Sequence, residues 1–158
     1  MKVKLMDKKY LGIIIVLIAI LAIGLYIFYE NPMPQQQNIG NKSFTTPQGF
    51  KVVETTNIST KMSNHGDQII LLVTKETNLD KAMDNYKRIN KDYNITDSDG
   101  KIGNYSIKVT NASKINNDGN ESYIYKYWFE KDGTIYNIQS PKIDTLNKIA
   151  VGIIESIQ

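Results

Sequence analysis

The chain contains one histidine, His65, and no cysteine, which excludes disulfides and thiolate metal sites. His65 lies in residues 64–66, Asn-His-Gly, a composition typical of a turn. A serine hydrolase would need this histidine beside an activated serine, and no G-x-S-x-G sequence is present. We therefore interpret His65 as a surface turn residue and predict no catalytic residue.

Residues 97–100, Asp-Ser-Asp-Gly, resemble part of a calcium-binding loop. The complete EF-hand pattern would place an acidic ligand at Ile95 and a glutamate at Ser106, and neither position fits. We predict a tight turn here and no metal site. The phosphate-binding patterns GxxxxGK[ST] and GxGxxG are also missing, so no cofactor is predicted. The other carboxylates are spread over many turns, and their spacing singles out no pair for acid–base hydrolysis.

Two further groups of residues are candidates for contacts outside the chain. Trp128 and Lys126 share one face of a predicted strand, where Trp128 is either covered by a helix or exposed as a contact surface. Six Asn-x-Ser/Thr sequences indicate N-glycosylation of an exported domain, or else chance matches in an asparagine-rich chain. The six candidate sites are Asn41, Asn57, Asn94, Asn104, Asn111 and Asn120.

The net charge of +3 would by itself suggest a nucleic-acid partner. Four lysines and one aspartate precede residue 30, which leaves fifteen basic and fifteen acidic side chains in residues 30–158. The excess charge therefore belongs to the N-terminus alone. We predict no nucleic-acid binding.

Residues 11–29 carry no charge and are dominated by Ile and Leu. At about 1.5 Å per residue they would rise roughly 28 Å as a helix, close to the hydrocarbon thickness of a bilayer. The preceding lysines predict a cytoplasmic stub over residues 1–10, a transmembrane helix over residues 11–29 and a C-terminal domain outside the cell membrane. A cleaved signal peptide is the alternative, but bulky residues at the end of the segment favour a retained anchor.

Beyond this segment the composition changes twice. Residues 30–43 contain two prolines and three glutamines, and we predict a flexible stalk. Residues 44–158 are long enough for one domain. Their pattern predicts an α+β fold with a mainly antiparallel sheet of about six strands and two helices, in the order β-β-β-α-β-β-β-α. Asp132-Gly133 is a hairpin signal that places Phe129 opposite Tyr136.

The opening residues 44–50, Phe-Thr-Thr-Pro-Gln-Gly-Phe, together with this order of elements, resemble the PsbP/Mog1-like α/β sandwiches. The resemblance covers roughly residues 44–158. It implies a central antiparallel sheet and a binding or accessory role without catalytic residues, often in exported or anchored proteins.

Three functional hypotheses follow. The leading one is a membrane-anchored, extracytoplasmic binding or accessory module without catalytic activity, whose partner is an envelope protein or a glycan. The second is a cell-envelope hydrolase with two carboxylates facing each other across a cleft. The third is an accessory subunit of a membrane complex, which predicts an exposed apolar patch near Trp128 or on the final helix.

Overall fold

The computed structural model describes the backbone of residues 8–158 and the side chains of residues 13–26, 29 and 31–158. Residues 1–7 of the predicted cytoplasmic stub lie outside the described residues. The helices are α1 (Lys8–Glu30), α2 (Leu79–Ile89) and α3 (Ile143–Ser156). The strands are β1 (Gln36–Ile39), β2 (Lys42–Thr45), β3 (Lys51–Thr55), β4 (Ser59–Asn64), β5 (Asp67–Val73), β6 (Asn94–Ile102), β7 (Tyr105–Ile115), β8 (Glu121–Lys131) and β9 (Thr134–Ser140).

Strands β3 to β9 form one antiparallel sheet in the order β3-β4-β5-β9-β8-β7-β6, and β1 and β2 form a separate hairpin. The predicted fold, about six strands and two helices behind a transmembrane helix, is therefore wrong. The part of the chain that the structure describes has nine strands and three helices. The additional strands are β1, β2 and β6.

The first helix also corrects a prediction. No helix among the described residues is both long enough and apolar enough to cross a bilayer. The transmembrane helix predicted over residues 11–29 is thus overturned.

The segment predicted as a flexible stalk contains β1. Ile39, at the end of this strand, is only 1% exposed and belongs to the main hydrophobic core. The neighbouring strand β2 is tied to the C-terminus, since Ser43 and Gln158 exchange two backbone hydrogen bonds. The folded domain therefore begins before residue 44, because a single apolar side chain in a polar segment is buried by residues far along the chain.

The main core lies between α3 and one face of the sheet. The predicted β8–β9 hairpin is confirmed, with Phe129 opposite Tyr136 and positive φ angles of 51° and 72° at Asp132 and Gly133. Phe129 and Tyr136 stack at 5.4 Å between ring centroids and are fully buried. This face of the tyrosine-rich hairpin is therefore core, because α3 and the β1–β2 hairpin cover it.

The opposite face of the sheet is covered over part of its width by α2. This helix begins after Asn78, whose side chain accepts a hydrogen bond from the Lys81 amide at 3.2 Å. Its apolar stripe, which includes Ala82 and Met83, packs on Trp128 of β8. The apolar side of α2 thus covers β8 and β9, whereas its polar side faces β6 across a cavity.

Strand β6 contains the segment predicted as a tight turn. Residues 97–100 pair in register with β7 from Asp97 opposite Thr110 to Gly100 opposite Ile107. Turn-forming residues are extended here because nine consecutive residues pair with β7, and this pairing outweighs their weak preference for strands.

Candidate functional site

A cavity of about 340 Å³ lies between α2 and the strands β6 and β7. Its walls are strongly charged, and all three elements contribute charged side chains. The charged side chains that line it are Asp80, Asp84, Lys87, Asp97, Asp99 and Lys108. Four carboxylates and two ammonium groups give this charged groove a net charge of −2.

Regular spacing brings these side chains together. On α2, Asp80, Asp84 and Lys87 follow each other at four and three residues, so they share one side of the helix. On β6, Asp97 and Asp99 are two residues apart, so they share one face of the strand. The helical spacing was readable in the sequence. The strand spacing was not, because residues 97–100 have the composition of a turn.

Two ion pairs organise the groove. The ammonium of Lys87 contacts Asp97, and the Nζ of Lys108 lies 2.6 Å from the Oδ1 of Asp99. Hydrogen bonding to these carboxylates raises the pKa of both lysines above the ordinary value. The Asp97 side chain is 23% exposed, whereas that of Asp99 is 82% exposed and open to solvent.

A hydrogen-bond chain links the interior to the groove. The indole Nε1 of Trp128 donates to the Oγ1 of Thr110 at 3.0 Å, and this hydroxyl donates to the Oδ1 of Asp97 at 3.1 Å. Trp128 and Thr110 are both buried. The side chain of Trp128 therefore orients Asp97 through Thr110 without reaching the surface itself.

The pair predicted as a contact surface lies in the interior. Trp128 is 3% and Lys126 5% exposed, because α2 covers this part of the sheet. The structure thus realises the alternative in which a helix covers Trp128, and neither side chain offers a contact surface. The Nζ of Lys126 lies 4.2 Å from the centroid of the Tyr86 ring and 5.6 Å from that of Trp128, and it donates to the Oε1 of Gln139.

Burial shifts the pKa values of Lys126 and Tyr86 in opposite directions, because in each case it disfavours the charged form. It lowers the pKa of Lys126 to about 8, because the charged form loses hydration. Burial likewise raises the pKa of Tyr86 to about 12. No described group accepts a hydrogen bond from the Tyr86 hydroxyl, and none donates to the Oδ1 of Asn137, which is also buried.

His65 lies apart from the charged groove, in the turn between β4 and β5. Its φ angle of 41° is unusual for a residue other than glycine and fits its place in a tight turn. It lines a separate cavity of about 250 Å³ with Gly49, Lys51, Ser63 and Asn64.

The candidate glycosylation sites differ in accessibility. Asn111 is half-buried in the middle of β7, and its Oδ1 is buried without a partner among the described groups. The other five are exposed, namely Asn41, Asn57, Asn94, Asn104 and Asn120.

Two of the four carboxylates in the groove are engaged with lysines. A carboxyl group that acts as a general acid needs an environment that keeps it protonated, usually an apolar pocket. Here Asp97 is paired with Lys87, and Asp99 is paired with Lys108 and largely hydrated. Within the described residues, no three His, Cys, Asp or Glu side chains are grouped so that they could hold a metal ion.

Comparison with known proteins adds little. No family model matches the chain, and no curated protein matches it. Among solved structures, a protein of Bacteroides thetaiotaomicron is similar at a TM-score of 0.49 and 14% identity. The match covers 74% of this chain and 44% of that one, so the chain spans less than half of its structural neighbour.

Proposed function

We propose that this chain is a binding module without catalytic activity, and that its charged groove holds a cationic ligand. The observation that supports this most directly is the arrangement of four carboxylates and two ammonium groups around an open cavity. Asp80 and Asp84 are exposed on α2 and face the groove together with the solvent-exposed Asp99. A surface of one predominant sign raises the local concentration of ligands of the opposite sign.

The hypothesis of an accessory subunit receives less support. It predicts an exposed apolar patch near Trp128 or on the final helix. Trp128 is buried under α2, and the apolar stripe of α3, with Ile149, Ile153 and Ile154, is buried against the main core.

The hydrolase hypothesis is supported by one observation, namely that carboxylates line the groove. It predicts measurable hydrolysis of chromogenic glycosides by the full chain, with loss of the activity in Asp97→Asn. Binding without turnover is the outcome we expect, since Asp97 is already engaged in an ion pair with Lys87.

Calorimetric titration with lysine-containing peptides tests the proposed function. We expect binding that weakens as the salt concentration rises, because exposed charges are screened. The double variant Asp80→Asn/Asp84→Asn should bind at least about fivefold more weakly, a change of roughly 1 kcal/mol. The matched control, Glu130→Gln/Glu155→Gln, removes two exposed carboxylates outside the groove. Equal losses in the two double variants would show that only the overall charge matters.

A further inference from the structure

Strand β6 is one edge of the seven-stranded sheet. It pairs with β7 over nine consecutive residues, and no described strand pairs with its outer side. Most of its residues are exposed. An edge strand of this kind presents a row of backbone donors and acceptors to which another extended chain can bind.

The two edges of the sheet differ, and the difference favours β6 over β3 as a site of strand addition. The opposite edge strand, β3, has five residues and a register irregularity between Val52 and Glu54. A bulge and a short length both hinder strand addition. β6 is nearly twice as long and pairs without interruption from Asn94 to Ile102.

Side chains at β6 show what kind of chain would fit. Asp97 and Asp99 lie on one face of β6 and line the charged groove, whereas Thr96 lies on the other face. A strand added beside β6 would lie about 4.8 Å away, with its own side chains alternating between the same two faces. Cationic side chains opposite Asp97 and Asp99 would form favourable cross-strand pairs.

A second copy of the chain fits this edge poorly. Antiparallel pairing of two β6 strands centred on Asp97 or Asp99 places that carboxylate opposite its own copy. Centring on Ser98 places Asp97 opposite Asp99 twice. Like charges directly opposite each other are destabilising, so the central registers of a self-pair are disfavoured.

We propose that β6 binds an extended, basic segment of a partner protein by strand addition, with alternate lysine or arginine side chains over the charged groove. Because this inference rests on the proposed function, its test must separate a strand at the edge from a cation in the groove. Two eight-residue peptides of equal charge do so, one alternating lysine and threonine, the other lysine and proline. Threonine favours strands, whereas proline lacks the N–H that a strand ladder requires.

The experiment measures the affinity of both peptides for the full chain and the hydrogen exchange of its backbone amides. We expect the lysine–threonine peptide to bind at least about tenfold more tightly, a difference of roughly 1.4 kcal/mol. We also expect outward-facing amides of β6 to exchange at least about tenfold more slowly with this peptide than without it. Two further lysine–threonine peptides carry methyl groups on alternate backbone nitrogens, one on the odd-numbered and the other on the even-numbered residues. One of the two should lose the tighter binding, because only one set of N–H groups faces β6.

Each other outcome contradicts a defined part of the reasoning. Equal affinity for both peptides would overturn strand addition and leave cation binding in the groove intact. If neither peptide binds, the proposed function is overturned as well. Slower hydrogen exchange at β3 and not at β6 would show that the peptide binds at the opposite edge, and it would overturn the proposal. A dimer with slow exchange at β6 in the absence of peptide would show that a second copy occupies this edge.

Discussion

Replacing Lys126 with methionine should change how the stability of the protein depends on pH. In the folded protein, burial lowers the pKa of Lys126 to about 8. In the unfolded chain the group has the ordinary value of 10.5. Between these values the unfolded state binds more protons than the folded state, so the free energy of unfolding rises with pH. The charged form of Lys126 therefore opposes folding below pH 8, and this cost is relieved as the pH approaches 10.5.

The two pKa values set the size of the effect. Integrating the difference in bound protons from pH 7 to pH 10 gives a gain of about 2–3 kcal/mol in the unfolding free energy of the wild type. Lys126→Met lacks this contribution, since methionine does not titrate. The raised pKa of Tyr86 contributes mainly above pH 10 and is common to both proteins. The difference in unfolding free energy between wild type and variant therefore reports the titration of Lys126.

Urea unfolding followed by fluorescence is a suitable assay, because Trp128 is the only tryptophan and is buried beside Lys126. Unfolding free energies of wild type and Lys126→Met are compared at several pH values from 7 to 10. Lys81→Met is the matched control, since Lys81 is an exposed residue of α2 and lysine and methionine have similar helix propensities. A wild-type-minus-variant difference that stays constant within about 0.5 kcal/mol across this range would refute the burial argument.

Three other substitutions or modifications have expected outcomes. Ile39→Ala should lower the unfolding free energy by about 2–4 kcal/mol in urea titrations, because it leaves a cavity in the main core; a loss below about 0.5 kcal/mol would mean that β1 is not part of the folded domain. Gly100→Val should cost about 1–3 kcal/mol, because even a Cβ at this position would lie 2.9 Å from the Cγ2 of Val109; unchanged thermal unfolding would contradict the close packing of β6 on β7. When the chain is secreted through a glycosylating pathway, mass spectrometry of its peptides should find glycan at exposed sites such as Asn120 and none at Asn111, whose amide oxygen is buried; a glycan at Asn111 would require β7 to be open.

Several features of the fold could be predicted because local sequence decides them. Asp132-Gly133 allows the positive φ angles of a two-residue hairpin, and this turn sets the register between β8 and β9. The spacing of Leu79, Ala82 and Met83 is typical of the apolar stripe of a helix, and α2 begins at Leu79. Periodicity places Trp128 on one face of its strand but does not show what covers that face, so the sequence alone does not decide between a covered and an exposed side chain.

Other features depend on residues that are distant in the chain. Asp97 and Asp99 belong to a segment with turn composition, and they form part of a strand because β7 pairs with it and because Lys87 and Lys108 compensate their charge. Ile39 is an isolated apolar residue in a polar segment, and only its burial in the main core shows that the segment folds.

Local sequence is enough to predict the hairpin, the amphipathic helices and the lack of the catalytic and cofactor motifs, since each depends on residues a few positions apart. The packing of the chain, in contrast, brings distant residues together. It buried Lys126 under α2, placed Asp80 and Asp84 opposite β6, and left the outer edge of β6 without a described partner. Contacts between α2 and β6 join side chains that are ten or more positions apart, and no local pattern specifies such contacts because they depend on how the helix packs on the sheet.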